Sequence, residues 1–120
     1  MTAHDVMTSD VISVPPETSV RAVCELMRAH EIGAVPVVDV VSRVLGVVTD
    51  RDIVVRAVAA HRDIDHVSAG DIMSVGIECA ALETPVEALQ EKMARYRVRR
   101  IPVLDHDERL VGIVSRDDLL

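Results

Sequence analysis

The sequence contains no phenylalanine, no tryptophan and a single tyrosine, Tyr96. Its core must therefore be built from Val, Ile, Leu, Ala and Met. At 120 residues, one compact domain is expected, burying roughly two-thirds of its unfolded surface. Cysteine is scarce too. Cys24 and Cys79 make no disulfide framework, and both lie in apolar-patterned segments. Buried reduced thiols and a reducing cytoplasm are the expectation. Positive charge is in deficit: 13 Lys and Arg stand against 20 Asp and Glu, for a formal net charge of −7. No face is clearly basic, so neither nucleic acid nor an anionic membrane is an expected partner. No apolar run is long enough to span a bilayer. Asp5 and Asp10 interrupt the N-terminus, and no secretory apolar region follows them. A Ser/His/Asp set, paired catalytic carboxylates and a glycine-rich phosphate loop are all missing. No enzymatic activity is expected.

What is present is a repeat. Gly46-Val47-Val48-Thr49-Asp50-Arg51-Asp52 returns 66 positions on as Gly112-Ile113-Val114-Ser115-Arg116-Asp117-Asp118. The β-branched pair suits the end of a strand. A hydroxyl residue followed three positions later by a carboxylate suits the start of a helix. Each copy thus predicts a strand-to-helix junction, with free N–H groups, a hydroxyl and a carboxylate aimed at one volume. Such a place suits a phosphorylated, ribose-bearing ligand. At the same offset Asp5-Val6-Met7 matches Asp71-Ile72-Met73, Glu17-Thr18 matches Glu83-Thr84, Met27 matches Met93, and Val35-Pro36-Val37 matches Ile101-Pro102-Val103. Two units packed about a pseudo-two-fold axis are expected.

Along the chain, Thr2 caps one helical turn through Met7. Val11 to Val14 reads as a brief strand stopped by Pro15-Pro16. Thr18 caps a helix from Ser19 to about His30, whose stripe is Val20, Val23, Cys24 and Met27, and Gly33 ends it. Ala34 to Asp39 is a strand that Pro36 confines to an edge or opens to a ligand. Val40 to Arg43 turns the chain into a partner strand, Val44 to Thr49. From Asp50 to about His61 a helix presents Ile53, Val54, Ala57, Val58 and His61 inward, with Val55 and Ala59 making the outer face apolar as well. The second copy repeats the order. Ile77 to Ala80 is the short strand. Thr84-Pro85-Val86-Glu87 is a capping box with proline at the first helical position. Val86, Leu89 and Met93 form the stripe, and Arg100 to Asp105 pairs with Leu110 to Ser115. The last helix starts at Arg116 and is short within this sequence. The domain expectation is a first repeat over 1–61 with its lead-in, a linker over 62–70, and a second repeat over 71–120.

The ordered set Asp-Val-Met, h-x-Pro-Val-Val-Asp and Gly-h-h-Thr-x-x-Asp (h, apolar), present twice at one spacing, resembles the CBS domain, named for cystathionine β-synthase. The tandem pair resembles a Bateman module. The resemblance implies an α+β fold of two β-α-β-β-α repeats. It implies a non-catalytic regulatory module that senses an adenosine-containing ligand such as AMP, ADP, ATP or S-adenosylmethionine, acts on a protein partner, and forms a homodimer. The alternative is a dimerisation module whose clefts are vestigial. Carried over, the resemblance implies two clefts. One joins Thr49 and Asp52 to Ile77, Glu78, Cys79, Arg99, Arg100 and Ile101. The other joins Ser115, Arg116 and Asp118 to Val11, Ile12, Ser13, Gly33, Ala34 and Val35.

The carboxylate suits a ribose diol, and the hydroxyl and helix start suit a phosphate oxygen. Arg99 and Arg100 have Gly33 and Ala34 as their counterparts, so the Thr49/Asp52 cleft is expected to be the tighter for a charged nucleotide. His61 and His66, with Asp63 and Asp65, form a weak metal pattern that reads better as a polar linker. Cys79 carries no sign of a lowered pKa. The helix from Asp50 to His61, apolar on two faces, points to a homodimer interface.

Overall fold

The computed structural model describes residues 1–120. Its elements are α1 (Ala3–Val6), α2 (Val20–His30), β1 (Ala34–Val38), β2 (Val44–Thr49), α3 (Asp50–Ile53) continuing as a π-helical turn (Val54–Val58), α4 (Ala69–Ile72), β3 (Ala80–Ala81), α5 (Val86–Tyr96), β4 (Arg100–Leu104), β5 (Leu110–Ser115) and a 3₁₀ turn (Arg116–Leu119). The mixture of helix and strand is the expected α+β class. The chain divides into two compact units, one of Ile12–Gly76 and one of Met1–Val11 with Ile77–Leu120.

These packing units differ from the sequence repeats by an exchange of lead-ins. In the Ile12–Gly76 unit, Ser74 bridges to Val47, the second residue of the glycine motif. In the other unit, Thr8 bridges to Ile113, the corresponding residue. Each lead-in methionine lies over a motif glycine. A Cβ added to Gly46 would stand 2.6 Å from Met73 Sδ, and one added to Gly112 would collide with Met7 Sδ. The lead-in at 3–8 therefore packs on the second repeat, and that at 69–74 packs on the first. The two lead-ins are near-copies, so sequence similarity alone does not say which belongs with which motif.

In the Ile12–Gly76 unit, β1 and β2 pair antiparallel, with Ala34 opposite Thr49. The strand expected over Val11 to Val14 reduces to a single parallel bridge between Val14 and Val37. Val14 donates to the Pro36 carbonyl at 3.0 Å and accepts from Val38 N–H at 2.9 Å. Pro36 is therefore not at a bare edge. The slanted parallel pattern uses its carbonyl and asks nothing of the N–H it lacks. Ser19, one residue later than expected, caps α2 by accepting from Ala22 N–H at 3.1 Å. The helix ends on Glu31 in the left-handed conformation, φ 53°, two residues before Gly33. The core gathers Val20, Val23, Val35, Val37, Val48, Ile53, Ala57 and Ile72.

The expected inner face of the helix after Asp50 is corrected in part. Ile53 and Ala57 are buried, but Val54 is 58% and Val58 60% exposed, beside Val55 at 51%. Ala59 and His61 are also exposed. The reason is helical spacing: Ile53 and Ala57 stand four residues apart on one line, and Val54 and Val58 each follow that line by about 100°, in a helix that closes on a π turn with Ala59 N–H donating to the Val54 carbonyl at 2.8 Å. Only the Ile53–Ala57 line faces the core, and the flanking valines turn outward.

In the other unit, β3 pairs parallel with β4 and β4 antiparallel with β5, Arg100 standing opposite Ser115. The short strand is Ala80–Ala81, not Ile77 to Ala80. The capping box expected at Thr84 does not form. Pro85 occupies the cap position of α5, and Thr84 Oγ1 instead accepts from Ala81 N–H at 3.0 Å. Leu89 and Met93 are buried and Val86 only half-buried. Here α5 ends on Arg97, φ 54°, the counterpart of Glu31.

Candidate functional site

Both predicted strand-to-helix junctions form, one in each unit. At the first, Asp52 N–H donates to Thr49 Oγ1 at 3.1 Å, and Thr49 N–H donates to Asp52 Oδ2 at 3.0 Å. This closes a reciprocal cap on α3. The second oxygen of Asp52 is also taken, because Ser74 Oγ donates to Oδ1 at 2.9 Å. Arg56 Nε lies 3.9 Å from the same oxygen. The Arg56 guanidinium also donates through Nη1 to the carbonyls of Ile72, at 3.2 Å, and Met73, at 3.0 Å. Asp52 is thus 7% exposed, the one buried charged side chain of the protein. It fastens residues 72–74 to the start of α3.

At the second junction, Ser115 N–H and Oγ both donate to Asp118 Oδ2, at 2.7 and 3.0 Å. Asp118 is exposed and engages through one oxygen. Thr8 is the counterpart of Ser74 by sequence offset, but its contact with this unit is a backbone bridge to Ile113. Arg116 N–H donates to the Arg99 carbonyl at 2.7 Å. Arg99, Arg100, Ser115, Arg116, Asp117 and Leu120 line a cavity of about 380 Å³. The sequence reading assigned Arg99 and Arg100 to Thr49 and Asp52. Within their own unit they stand with Ser115 and Arg116.

The remaining candidate residues have defined places in their own units. Val35 and Ile101 are fully buried in the cores, backbone and side chain alike. Ala34 is also buried, and Gly33 half-buried beside it, its carbonyl accepting from Asp50 N–H at 3.0 Å. Val11 and Ile12 are half-buried, and Ser13 is exposed. Ile77 is half-buried. Glu78 pairs with Lys92 at 3.6 Å, and Lys92 Nζ donates to the Cys79 carbonyl at 3.3 Å. Burial pushes the Cys79 thiol above its ordinary pKa, the opposite of a reactive thiolate. His66 is paired with Asp63 at 2.7 Å, and no group of three or more potential ligand residues gathers around it or elsewhere. No helix is long and apolar enough to cross a membrane.

Ser74 and Arg56 are absent from the residues singled out by sequence. A signal for Ser74 was present, since a hydroxyl residue follows Met7 and Met73 alike. Arg56 reads as an ordinary exposed helical cation, and only the fold brings it to the carbonyls of 72 and 73.

The family model for the CBS domain matches residues 3–58 and 69–120. Hypoxic response protein 1 of Mycobacterium tuberculosis is 35% identical over 118 residues, covering 98% of this chain and 82% of its own. A crystal structure of Hypoxic Response Protein I with two coordinated zinc ions superposes with a TM-score of 0.92 at 34% identity, covering 99% of this chain and 96% of that one. The CBS domain pair of MJ0100, in complex with 5′-methylthioadenosine and S-adenosyl-L-methionine, gives a TM-score of 0.89 at 26% identity, with 99% and 92% covered. CBSX2 in complex with AMP gives 0.84 at 27% identity, with 98% and 92% covered. With two matched repeats spanning most of its length, and both motif junctions formed, the chain belongs to the CBS domain family and is a CBS pair, a regulatory module.

Proposed function

We propose that this CBS pair is a non-catalytic sensor of an adenosine-containing ligand, AMP, ADP, ATP or S-adenosylmethionine. The observation that carries the reading is the recurrence of a hydroxyl–carboxylate pair at a strand-to-helix junction in both units. Complexes of similar pairs with S-adenosylmethionine and with AMP support it. A ribose diol has two hydroxyl donors, and a carboxylate with a free oxygen accepts them. Asp118 has that oxygen and Asp52 does not, so Ser115 and Asp118 are the better-disposed pair. We therefore expect the Ser115 junction to bind the more tightly, the opposite of the order expected from sequence. Binding regulates a partner to the extent that the ligand prefers one of two states.

The test is thermal unfolding with each of the four compounds. A ligand at about 100 times its dissociation constant adds roughly 2.7 kcal/mol to stability, a clear upward shift of the midpoint. No shift with any of them removes the sensing role.

A second reading, a homodimerisation module with vestigial clefts, is favoured by the outward valines. Val54, Val55 and Val58 are each more than half exposed on adjacent turns, and a contiguous apolar face of this kind suits a second copy. In light scattering at micromolar concentration a dimer is expected, and Val55→Glu should dissociate it by placing a charge in a desolvated contact. A monomeric unmutated chain overturns this reading.

A further inference from the structure

The cavity at the second junction identifies the class of ligand more narrowly. Three arginines, Arg99, Arg100 and Arg116, line one volume of about 380 Å³ with Ser115 and a single acidic residue, Asp117. An adjoining cavity of about 510 Å³ shares Arg99, Arg116 and Leu120 and adds Arg97 over a floor that includes Met93 and Val98. None of these four arginines takes part in any ion pair of the chain. Four of the 13 cationic side chains in a protein of net charge −7 thus lie together, with Asp117 the one acidic side chain among the lining residues. The counterpart positions in the other unit are Glu31, Gly33, Ala34 and Asp50, which carry no positive charge. The concentration is therefore a property of this site and not of the repeat.

We propose that the Ser115 junction selects a ligand bearing two or more linked phosphates, a nucleoside di- or triphosphate, over a monophosphate, and that it rejects S-adenosylmethionine. The proposal rests on the adenosine-sensing reading above and names the ligand within it. A single phosphate ester carries about two negative charges and offers one set of oxygens. It leaves at least one of three guanidinium forks without a partner. Each further phosphate adds charge and a separate pair of acceptors for an arginine fork. S-adenosylmethionine brings a sulfonium cation to the same arginines, which like charge opposes.

The experiment is calorimetric titration of the full chain, without magnesium, with adenosine, AMP, ADP, ATP, S-adenosylmethionine and inorganic tripolyphosphate. Affinity is expected to rise by about tenfold or more from AMP to ATP, the scale of one added charge-assisted contact. Raising the salt should weaken ATP binding and leave adenosine unchanged. Arg99→Ala and Arg116→Ala should each lower ATP affinity by about tenfold or more without affecting adenosine. Arg116→Lys, which keeps the charge and loses the fork, should fall between. Both arginines are exposed, so these variants should fold. ATP binding no tighter than AMP, S-adenosylmethionine binding as tightly as ATP, or ATP affinity unmoved by both alanine variants overturns the proposal, while AMP binding keeps the sensing role. Tripolyphosphate binding without any response to adenosine compounds supports polyphosphate selection and overturns the adenosine reading. No binding by any compound overturns both.

Discussion

The two junctions are near-copies in sequence and opposites in state. Thr49 and Asp52 close a buried cap whose every carboxylate oxygen has a partner, Ser74 and Arg56 included. Ser115 and Asp118 close an exposed cap with one carboxylate oxygen engaged, beside a cavity lined by arginines. One motif thus has both carboxylate oxygens engaged in one unit and a single oxygen engaged in the other. A hydroxyl–carboxylate pair defines a helix start. Whether it also receives a ligand depends on what else reaches the carboxylate.

The largest test of this contrast is the stability of paired alanine variants. Asp52→Ala removes a cap and a partner of Ser74, Thr49 and Arg56 together, and should destabilise the protein by about 2–3 kcal/mol in urea unfolding. Asp118→Ala removes an exposed cap and should lose no more than about 1 kcal/mol. Equal losses would erase the distinction. Next come the motif glycines. A Cβ at Gly46 meets the Ser74 carbonyl at 2.7 Å as well as Met73, and backbone yields little. Gly46→Ala should lower stability by about 1–3 kcal/mol. Gly112→Ala meets only the flexible side chain of Met7 and should lose less. A larger effect at Gly112 would show that the Met7 lead-in is held as rigidly as residues 73 and 74.

Ser74→Ala sharpens the comparison from the other side. It should lower stability by about 1 kcal/mol and raise ligand affinity at the Thr49 junction, because the hydroxyl competing for Asp52 Oδ1 is gone. Thr8→Ala should change neither quantity at Asp118. If calorimetry finds Ser74→Ala without effect on binding, the occupied carboxylate is not what disfavours that junction.

The smallest expected effect is in pH dependence. Asp63 raises the pKa of His66 by hydrogen bond and charge, and Glu83 does the same for His106. Each pair stabilises the fold fully below the ordinary histidine value near 6.5, and that contribution is lost as pH rises through the raised pKa. Both pairs are surface contacts, so the slope should be shallow. Nuclear magnetic resonance titration should find both histidines above the ordinary value, and Asp63→Asn should return His66 alone to it.

Much of the candidate site was legible in the linear sequence because its ingredients are local. Thr49 to Asp52 and Ser115 to Asp118 span three residues each, and the reciprocal cap is a property of that spacing. The hairpin strands followed from runs of Val and Ile bounded by turn residues, and β2 and β5 begin and end where expected. Less legible was whatever depends on a distant partner. Thr84 lies three residues before Glu87, as a capping box requires, but turns to Ala81. Val54 and Val58 lie beside the Ile53–Ala57 line and face away from the core. Pro36 suggested an open edge that Val14 in fact covers.

By itself, the sequence determined the repeat, the α+β class, the two capped junctions and the uneven placement of arginines, since each is written in spacing over a few residues or in a constant offset. Tertiary structure decided three further matters: that each lead-in packs on the other copy's glycine motif, that Ser74 and Arg56 occupy Asp52, and that Arg99, Arg100 and Arg116 share a cavity with Ser115. The physical reason is common to all three. They depend on contacts between segments apart in sequence, and the packing of Met7 on Gly112 and of Met73 on Gly46, with the backbone bonds from Ala3 to Thr84 and from Gly70 to Pro16, fixes which lead-in joins which copy.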